Sequence, residues 1–84
     1  MLSDIIENMN IRVKFFGSLT ELTGTPEISI PAASTDECLQ KILQRYPLLH
    51  GQTFALALNA RIIKEGQLVQ EGDVLAFLPP FSGG

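Results

Sequence analysis

A single amphipathic helix in the middle of the chain constrains its fold more than any other feature of these 84 residues. Ser34 and Glu37 form a capping box, in which Ser34 is the N-cap and the Glu37 carboxylate reaches back to the Ser34 amide. Pro47 ends the helix near Tyr46, because a proline disfavours helical backbone at the residue before it. One face of the helix is apolar and consists of Cys38, Leu39, Ile42, Leu43 and Tyr46. Such a helix needs another layer on which to bury that face.

Short strands are predicted on both sides of the helix. Ile11, Val13 and Phe15 alternate with polar residues, which is the period-two pattern of a half-buried strand. Residues 74–78 form an almost continuous apolar run, as expected of a central strand that is buried on both faces or half covered by a partner. A short helical turn is predicted at residues 19–22. The first predicted strand begins at Asn10, and the others are residues 27–30, 54–58, 61–63 and 74–78.

The order of two strands, one helix and three short strands predicts an α+β fold, with a mixed sheet and one main helix packed across one face. This is the order of a β-grasp, or ubiquitin-like, fold. We predict a short N-terminal extension at residues 1–9, a β-grasp domain at residues 10–78 and a flexible C-terminal tail at residues 79–84. The extension places Leu2, Ile5, Ile6 and Met9 at helical spacing, but a helix of this length is only marginally stable without packing.

Composition argues against several classes of function. A chain with 45% hydrophobic residues at this length is one small folded domain rather than a disordered segment. No apolar run approaches the roughly 20 residues of a membrane span, and the N-terminus lacks the features of a signal peptide. We therefore expect a cytoplasmic protein without a membrane partner. The net charge is −3 and the six basic residues are scattered, which argues against nucleic-acid binding.

The reactive side chains are isolated from one another in the sequence. Cys38 is the single cysteine, so an internal disulfide is impossible, and we expect it to be a small core residue on the apolar helix face. His50 is expected in a solvated loop, and Asp73 beside Gly72 is expected to shape a turn. We predict no bound metal and no complete acid–base or nucleophilic site on this chain.

The C-terminal glycine pair is the strongest functional feature. Two glycines at a given place arise by chance in about one chain in 200, since average glycine usage is about 7%. Gly83 and Gly84 present a carboxylate on a strip of backbone thin enough for a slot that no other residue enters. Pro79 and Pro80 lack the N–H donors that a sheet needs, so the chain leaves the sheet there in a stiff extended form. Six residues from Pro79 onward reach at most ~20 Å, which is enough to thread into a neighbouring protein.

Residues 71–84 read EGDVLAFLPPFSGG, and this segment resembles the end of the small subunit of molybdopterin synthase. That family typically closes with a Gly-Asp turn, a strand ending in Ala-Phe-x-Pro-Pro, and a small residue before Gly-Gly. The resemblance covers residues 10–84 through RVKFF at residues 12–16 and the pair Leu58-Asn59, although the middle of the chain is generic. Two features depart from the family: residues 1–9 are additional, and Phe81 stands where a smaller aliphatic side chain is usual.

The resemblance implies a sulfur carrier without a bound cofactor. An activating enzyme would consume ATP to adenylate the Gly84 carboxylate, and a sulfur donor protein would displace AMP to leave a C-terminal thiocarboxylate. Two such tails would then convert cyclic pyranopterin monophosphate to the dithiolene of molybdopterin, inside a synthase of two small and two large subunits. The catalytic residues are expected on the large subunit. The tail residues that would enter the partner are Pro79, Pro80, Phe81, Ser82 and Gly83.

An apolar patch beside the tail is the predicted docking surface. If Phe15 and Phe77 point into the core, strand alternation places Phe16 and Leu78 on the opposite face. Ile62, on the short fourth strand, is a third candidate. Exposed apolar side chains on a small acidic domain indicate partner docking, and the large subunit and the activating enzyme are the implied partners. The alternative is that these side chains pack beneath residues 1–9 or a loop.

Three other functions remain open on the sequence alone. A sulfur carrier for the thiamine thiazole ring has the same fold and tail chemistry, but it is generally shorter and less often carries Phe-Leu-Pro-Pro before its tail. A ubiquitin-like modifier would join Gly84 to target lysines through an isopeptide bond. A β-grasp binding module would carry the glycines without using them.

Overall fold

The structure, a computed structural model, describes residues 9–80 of the chain. Five strands, two α-helices and one 3₁₀ turn form in positions close to those predicted. The N-terminal part contains β1 (Asn10–Phe15), α1 (Ser18–Thr23), β2 (Glu27–Pro31) and α2 (Thr35–Arg45). The C-terminal part contains a 3₁₀ turn (Pro47–Leu49), β3 (Ala55–Leu58), β4 (Arg61–Ile63) and β5 (Val74–Leu78). The predicted α+β class is confirmed.

The strand β5 lies in the middle of the sheet although it is the last strand of the chain. The strand order is β2-β1-β5-β3-β4. β5 runs parallel to β1 and antiparallel to β3, while the two outer pairs are antiparallel. Phe15, at the end of β1, is level with Phe77 near the end of β5. The chain that follows β5 therefore begins beside the connection between β1 and α1.

The start of α2 is capped, with one difference from the prediction. The Ser34 hydroxyl accepts a hydrogen bond from the Glu37 amide at 3.1 Å, as expected of an N-cap. The Glu37 carboxylate accepts from the Ala33 amide at 2.6 Å rather than from the Ser34 amide, so that part of the predicted capping box was wrong. This hydrogen bond is the main cause that lowers the pKa of Glu37. Lys41 adds an ion pair to Glu37 and donates to the Pro31 carbonyl, which links α2 to the end of β2.

One face of the sheet and the apolar face of α2 form the core. Val13, Leu75 and Phe77 from the central strands are fully buried together with Cys38 and Ile42 from α2. Strand alternation puts these strand residues on the same side of the sheet, which we call the inner face. Cys38 is fully buried, so it is a core residue, as predicted. This burial raises the pKa of its thiol to about 12. His50 is exposed, which was also predicted.

Phe77 is the centre of an aromatic cluster at the end of β5. Its ring centroid lies 5.4 Å from that of Phe15 and 5.1 Å from that of Phe54. Tyr46, just after α2, meets Phe15 edge to face at 5.6 Å. Aromatic pairs at these separations add stabilisation beyond the area they bury. Through this cluster, the end of α2 and the end of β5 pack against the same group of aromatic side chains in the core.

The turn between β3 and β4 is fastened to the start of β5. Asn59 and Ala60 both have positive φ angles, of 49° and 71°, as two-residue hairpin turns require. The Asn59 side chain accepts from the Val74 amide at 3.0 Å and donates to Asp73 at 3.1 Å. Asp73 also accepts from the Gln70 amide at 2.8 Å, so its predicted role in a turn is confirmed.

Candidate functional site

The root of the tail is rigidly held up to Pro79. Phe77 is fully buried, Leu78 is the last residue of β5 and is half-buried, and Pro79 is also half-buried. Pro80 is exposed and is the last residue that the structure describes. The predicted reactive end lies outside the described residues, and so does most of the predicted extension; these parts are Phe81, Ser82, Gly83, Gly84 and residues 1–8.

A tight turn after β1 forms the surface on which Pro79 rests. The Leu19 amide donates to the Phe16 carbonyl at 3.1 Å, which closes a four-residue turn around Gly17 and Ser18. Gly17 has φ 58° and ψ −135°, close to the first central position of a type II′ turn. A Cβ atom at Gly17 would lie 2.9 Å from Cγ of Pro79, which is closer than such contacts tolerate. The sequence indicated a turn at Gly17 but not its contact with the tail.

The second face of the sheet, which we call the open face, carries the three predicted docking residues. Phe16 and Ile62 are 44% and 58% exposed, so none of the described elements covers them. Leu78 is half-buried and lies opposite Ala55, on the side of β5 away from Phe77. Leu78 therefore lies on the face opposite the core, whereas Phe16, which follows the last residue of β1, is known to be exposed, and its docking role stays a prediction. We call Phe16, Ile62 and Leu78 the docking patch.

Small residues connect the two ends of the docking patch. Ala76 in β5 pairs with Ala57 in β3, and Ala57 pairs with Ile62 in β4. Ala57 is 95% buried although it is not part of the inner core. Small side chains therefore lie on the open face between Ile62 and the end of β5.

The charges on the open face lie mainly on β1. Arg12 forms an ion pair with Glu27 on β2 at 2.7 Å, which offsets its charge. Lys14 pairs in register with Ala76 and makes no ion pair with any described carboxylate. Among residues 9–80, the strand β1 therefore places two positive charges on the open face, with the single carboxylate of Glu27 opposite them.

Two exposed leucines lie away from the docking patch, and the sequence did not single them out. Leu48 in the 3₁₀ turn is 66% exposed, and Leu68, which bridges to Ser34 at the start of α2, is 84% exposed. Single exposed apolar residues are common on soluble domains. We therefore use these leucines as exposed control positions for the docking patch and do not assign them to a binding site.

The described part of the chain contains neither a cluster of metal-binding side chains nor a membrane-spanning helix. Among residues 9–80 there is no group of three or more His, Cys, Asp or Glu side chains that would hold a metal ion. No helix within the same range is long and apolar enough to cross a membrane.

A mixed sheet with one main helix on its inner face and the last strand at its centre is the β-grasp fold of ubiquitin-like proteins. The family model that matches the chain is the ThiS family, over residues 13–84. The chain belongs to the ThiS family.

Relatives and solved structures agree with this assignment. The chain is 36% identical to the molybdopterin synthase sulfur carrier subunit of Arabidopsis thaliana, in a match that covers 98% of this chain and 91% of that protein. It is 33% identical, with a TM-score of 0.72, to a chain in the complex of subunits 1 and 2 of molybdopterin-converting factor from Helicobacter pylori; the match covers 90% of this chain and 100% of that one. The small archaeal modifier protein 1 of Methanosarcina acetivorans has a TM-score of 0.79 at 25% identity, over 89% of this chain and 96% of that one. The predicted β-grasp fold is confirmed.

Proposed function

We propose that this chain is the sulfur carrier subunit of a molybdopterin synthase, and that the Gly84 carboxylate is its working group. The observation that carries the proposal is the extent of the family match, which runs to Gly84 and so includes the Gly-Gly end. The Arabidopsis relative, which matches almost the whole chain, bears the name of that subunit. The names of the relatives favour this function over the thiamine carrier.

The chemistry begins with a poor electrophile. A carboxylate oxygen of Gly84 attacks the α-phosphate of ATP on a separate activating enzyme, and pyrophosphate leaves. The persulfide of a sulfur donor protein then attacks the carbonyl carbon of the acyl-adenylate, and AMP leaves. A thiol cleaves the S–S bond of the resulting acyl disulfide and forms a disulfide with the donor's cysteine, which leaves a thiocarboxylate on Gly84. This group is ionised at neutral pH and its sulfur is a strong nucleophile, because the ionised form of a sulfur acid is the form that attacks. The substrate is cyclic pyranopterin monophosphate, and the product is the dithiolene of molybdopterin.

The carrier itself supplies position rather than catalysis. Its only cysteine, Cys38, is buried and its pKa is raised to about 12, so it keeps its proton at neutral pH and does not compete with the tail as a sulfur nucleophile. We assign no bound cofactor to this chain, since ATP is consumed by the activating enzyme. The catalytic residues then belong to the large subunit.

The docking patch is the surface that we assign to the partners. Phe16 is an exposed aromatic residue next to the root of the tail, and aromatic side chains are over-represented among residues that dominate binding energies. Ile62 extends the same face across β3, and Leu78 links it to β5. A partner seated there would lie beside Pro79 and would receive the tail directly.

We assign two partners to this face in turn. The structure from Helicobacter pylori is a complex of subunits 1 and 2 of molybdopterin-converting factor, and a large subunit is accordingly the first partner proposed here. The assembly we propose holds two carriers and two large subunits. The adenylating enzyme is the second partner, and both encounters take place in the cytoplasm.

Intact mass spectrometry tests the function at Gly84. The chain is incubated with an activating enzyme, ATP and a sulfur donor, and we expect a mass increase equal to the exchange of one oxygen for sulfur. A variant that ends at Gly83 is the control, and it should gain no sulfur. Adding the large subunit and cyclic pyranopterin monophosphate should then yield the dithiolene product and return the carrier to its original mass.

Other results, in this experiment or in companion assays, would point to other functions. A sulfur-loaded chain that gives no dithiolene, but supports thiazole formation, would identify a thiamine carrier. Isopeptide conjugates of Gly84 in lysates would identify a protein modifier. A chain that never gains sulfur, and whose function survives loss of Gly84, would contradict a carrier role of either kind.

A further inference from the structure

We propose that Gly17 is a positioning residue that sets the direction in which the tail leaves the domain. The inference rests on the proposed function, because direction matters only if the tail delivers a group to a partner. It is carried by one contact: the Pro79 ring lies over the Gly17 backbone, where a Cβ atom would come within 2.9 Å of Cγ. Gly17 is far from Pro79 in sequence, and the pairing of β1 with β5 brings the two together.

Two independent demands require glycine at this position. The first is conformational, since φ 58° with ψ −135° is a region that residues with a Cβ rarely occupy. The second is spatial, because any side chain would displace the Pro79 ring. Gly24 shows that the two demands are separable: its φ of 74° is also positive, but an added Cβ there would meet nothing within 4 Å.

The contact joins a hydrogen-bonded turn to the first of two consecutive prolines. Gly17 belongs to a hydrogen-bonded turn, and the Phe16 amide donates to the Phe77 carbonyl at 3.2 Å, so the turn is tied directly to the end of β5. Pro79 has a fixed φ, and the next residue is a second proline, so the orientation of the first ring is passed on toward the C-terminus. A displacement at Pro79 therefore changes the direction in which the chain leaves the domain. Misplacement of a reacting group by 1 Å can cost about 100-fold in rate.

The test compares four single variants and one double variant, Gly17→Ala with Pro79→Ala, in the transfer of sulfur from the loaded carrier to the pyranopterin on the large subunit. Gly17→Ala pushes the Pro79 ring away, and Pro79→Ala releases it without touching the core. Gly24→Ala controls for a substitution at positive φ, and Pro31→Ala, at an exposed proline that ends β2 and lies outside the tail, controls for the loss of a proline. Thermal unfolding of each variant separates delivery from stability, and all assays are run where each variant is folded.

We expect Gly17→Ala and Pro79→Ala to lower kcat about tenfold or more, because the reacting group is misplaced. The KM for the large subunit should change less than about twofold, since the docking patch is intact. Because both changes act on one contact, the double variant should be no slower than the slower single variant. The two controls should keep kcat within about twofold of the parent chain.

Each other result overturns a defined claim. A Gly17→Ala chain with the kcat of the parent, or a double variant whose losses multiply, would overturn the positioning role while leaving the carrier function standing. A change in KM alone would show that Gly17 belongs to the docking surface instead. If the parent chain itself gains no sulfur, the proposed function fails and this inference fails with it.

Discussion

The two faces of the sheet are built from the same strands but differ in how deeply their side chains are buried. On the inner face, Leu75 and Phe77 are fully buried against α2. On the open face, their neighbours Ala76 and Leu78 remain partly accessible, and Phe16 and Ile62 are exposed. Alternation along β5 thus divides one apolar run between a buried face and a partly accessible face. An apolar strand in the middle of a sheet is therefore not a sign of burial on both faces, and we propose that a partner covers the second face.

The largest effect expected from this contrast is the protection of Cys38, at the inner face. Its thiol is buried and retains its proton, so alkylation at pH 8 should require unfolding and be at least about 1,000-fold slower than in denaturant. Mass spectrometry of iodoacetamide-treated chain measures the rate. Labelling of the native chain at the rate of a free thiol would contradict a sealed inner face.

The same thiol predicts a pH dependence. Its pKa is raised from 9.0 to about 12 in the folded chain, so above pH 9 the unfolded state loses this proton more readily than the folded state. Stability should therefore be unaffected by Cys38 below that pH and should fall as the pH rises toward 12. A Cys38→Ala variant should show a flatter decline in urea midpoint over this window.

Truncating one phenylalanine on each face compares the two directly. Phe77→Ala should cost about 3–5 kcal/mol, because it removes the centre of the aromatic cluster and leaves a cavity. Phe16→Ala should cost less than about 1 kcal/mol, since that ring is 44% exposed. Urea unfolding monitored by circular dichroism measures both. Equal costs would mean that the open face is part of the core.

A charge placed on the open face should weaken binding strongly while changing the free energy of unfolding little. Ile62→Glu should weaken binding to the large subunit by about 2 kcal/mol, or about 30-fold in Kd, with little loss of stability. Leu68→Glu is the matched control, because Leu68 is 84% exposed but lies near the start of α2. Calorimetric titration of the two variants with the large subunit measures both dissociation constants. If both variants bound equally weakly, the assignment of the docking patch would be contradicted.

The smallest effect concerns the turn beside Ile62. Ala60 has φ 71°, which glycine adopts without strain, so Ala60→Gly should raise the free energy of unfolding by about 0.5–1 kcal/mol. Binding to the large subunit should not change. A loss of binding that accompanies the gain in stability would show that recognition and stability are not separable at this edge.

Local patterns were enough to predict most of the fold. The alternation of Ile11, Val13 and Phe15 located β1, and the Ser34 cap located the start of α2. Each of these signals is contained within a few neighbouring residues. The same alternation placed Phe16 and Leu78 on the open face. What was missed depends on contacts between distant segments, which no local pattern encodes. The Pro79 ring over Gly17 is one example, and the burial of Ala57 on the open face is another.

The capping error has a similar cause. Sequence spacing specifies that the Glu37 carboxylate reaches back toward the preceding loop, but the amide it finds depends on how that loop approaches the helix. Here the amide is that of Ala33. The chemistry at Gly84 and the role of residues 1–9 stay predictions from the sequence and the family, since the described residues do not reach Gly84 or include residues 1–8.

Methyl NMR of the carrier during titration with the unlabelled large subunit tests the central claim most directly, namely that the open face is the docking surface. We predict shifts and broadening at the methyl groups of Ile62, Leu78 and Ala57, while those of Leu48 and Leu68 stay unchanged. Shifts at Leu48 and Leu68, with Ile62 and Leu78 unaffected, would contradict it.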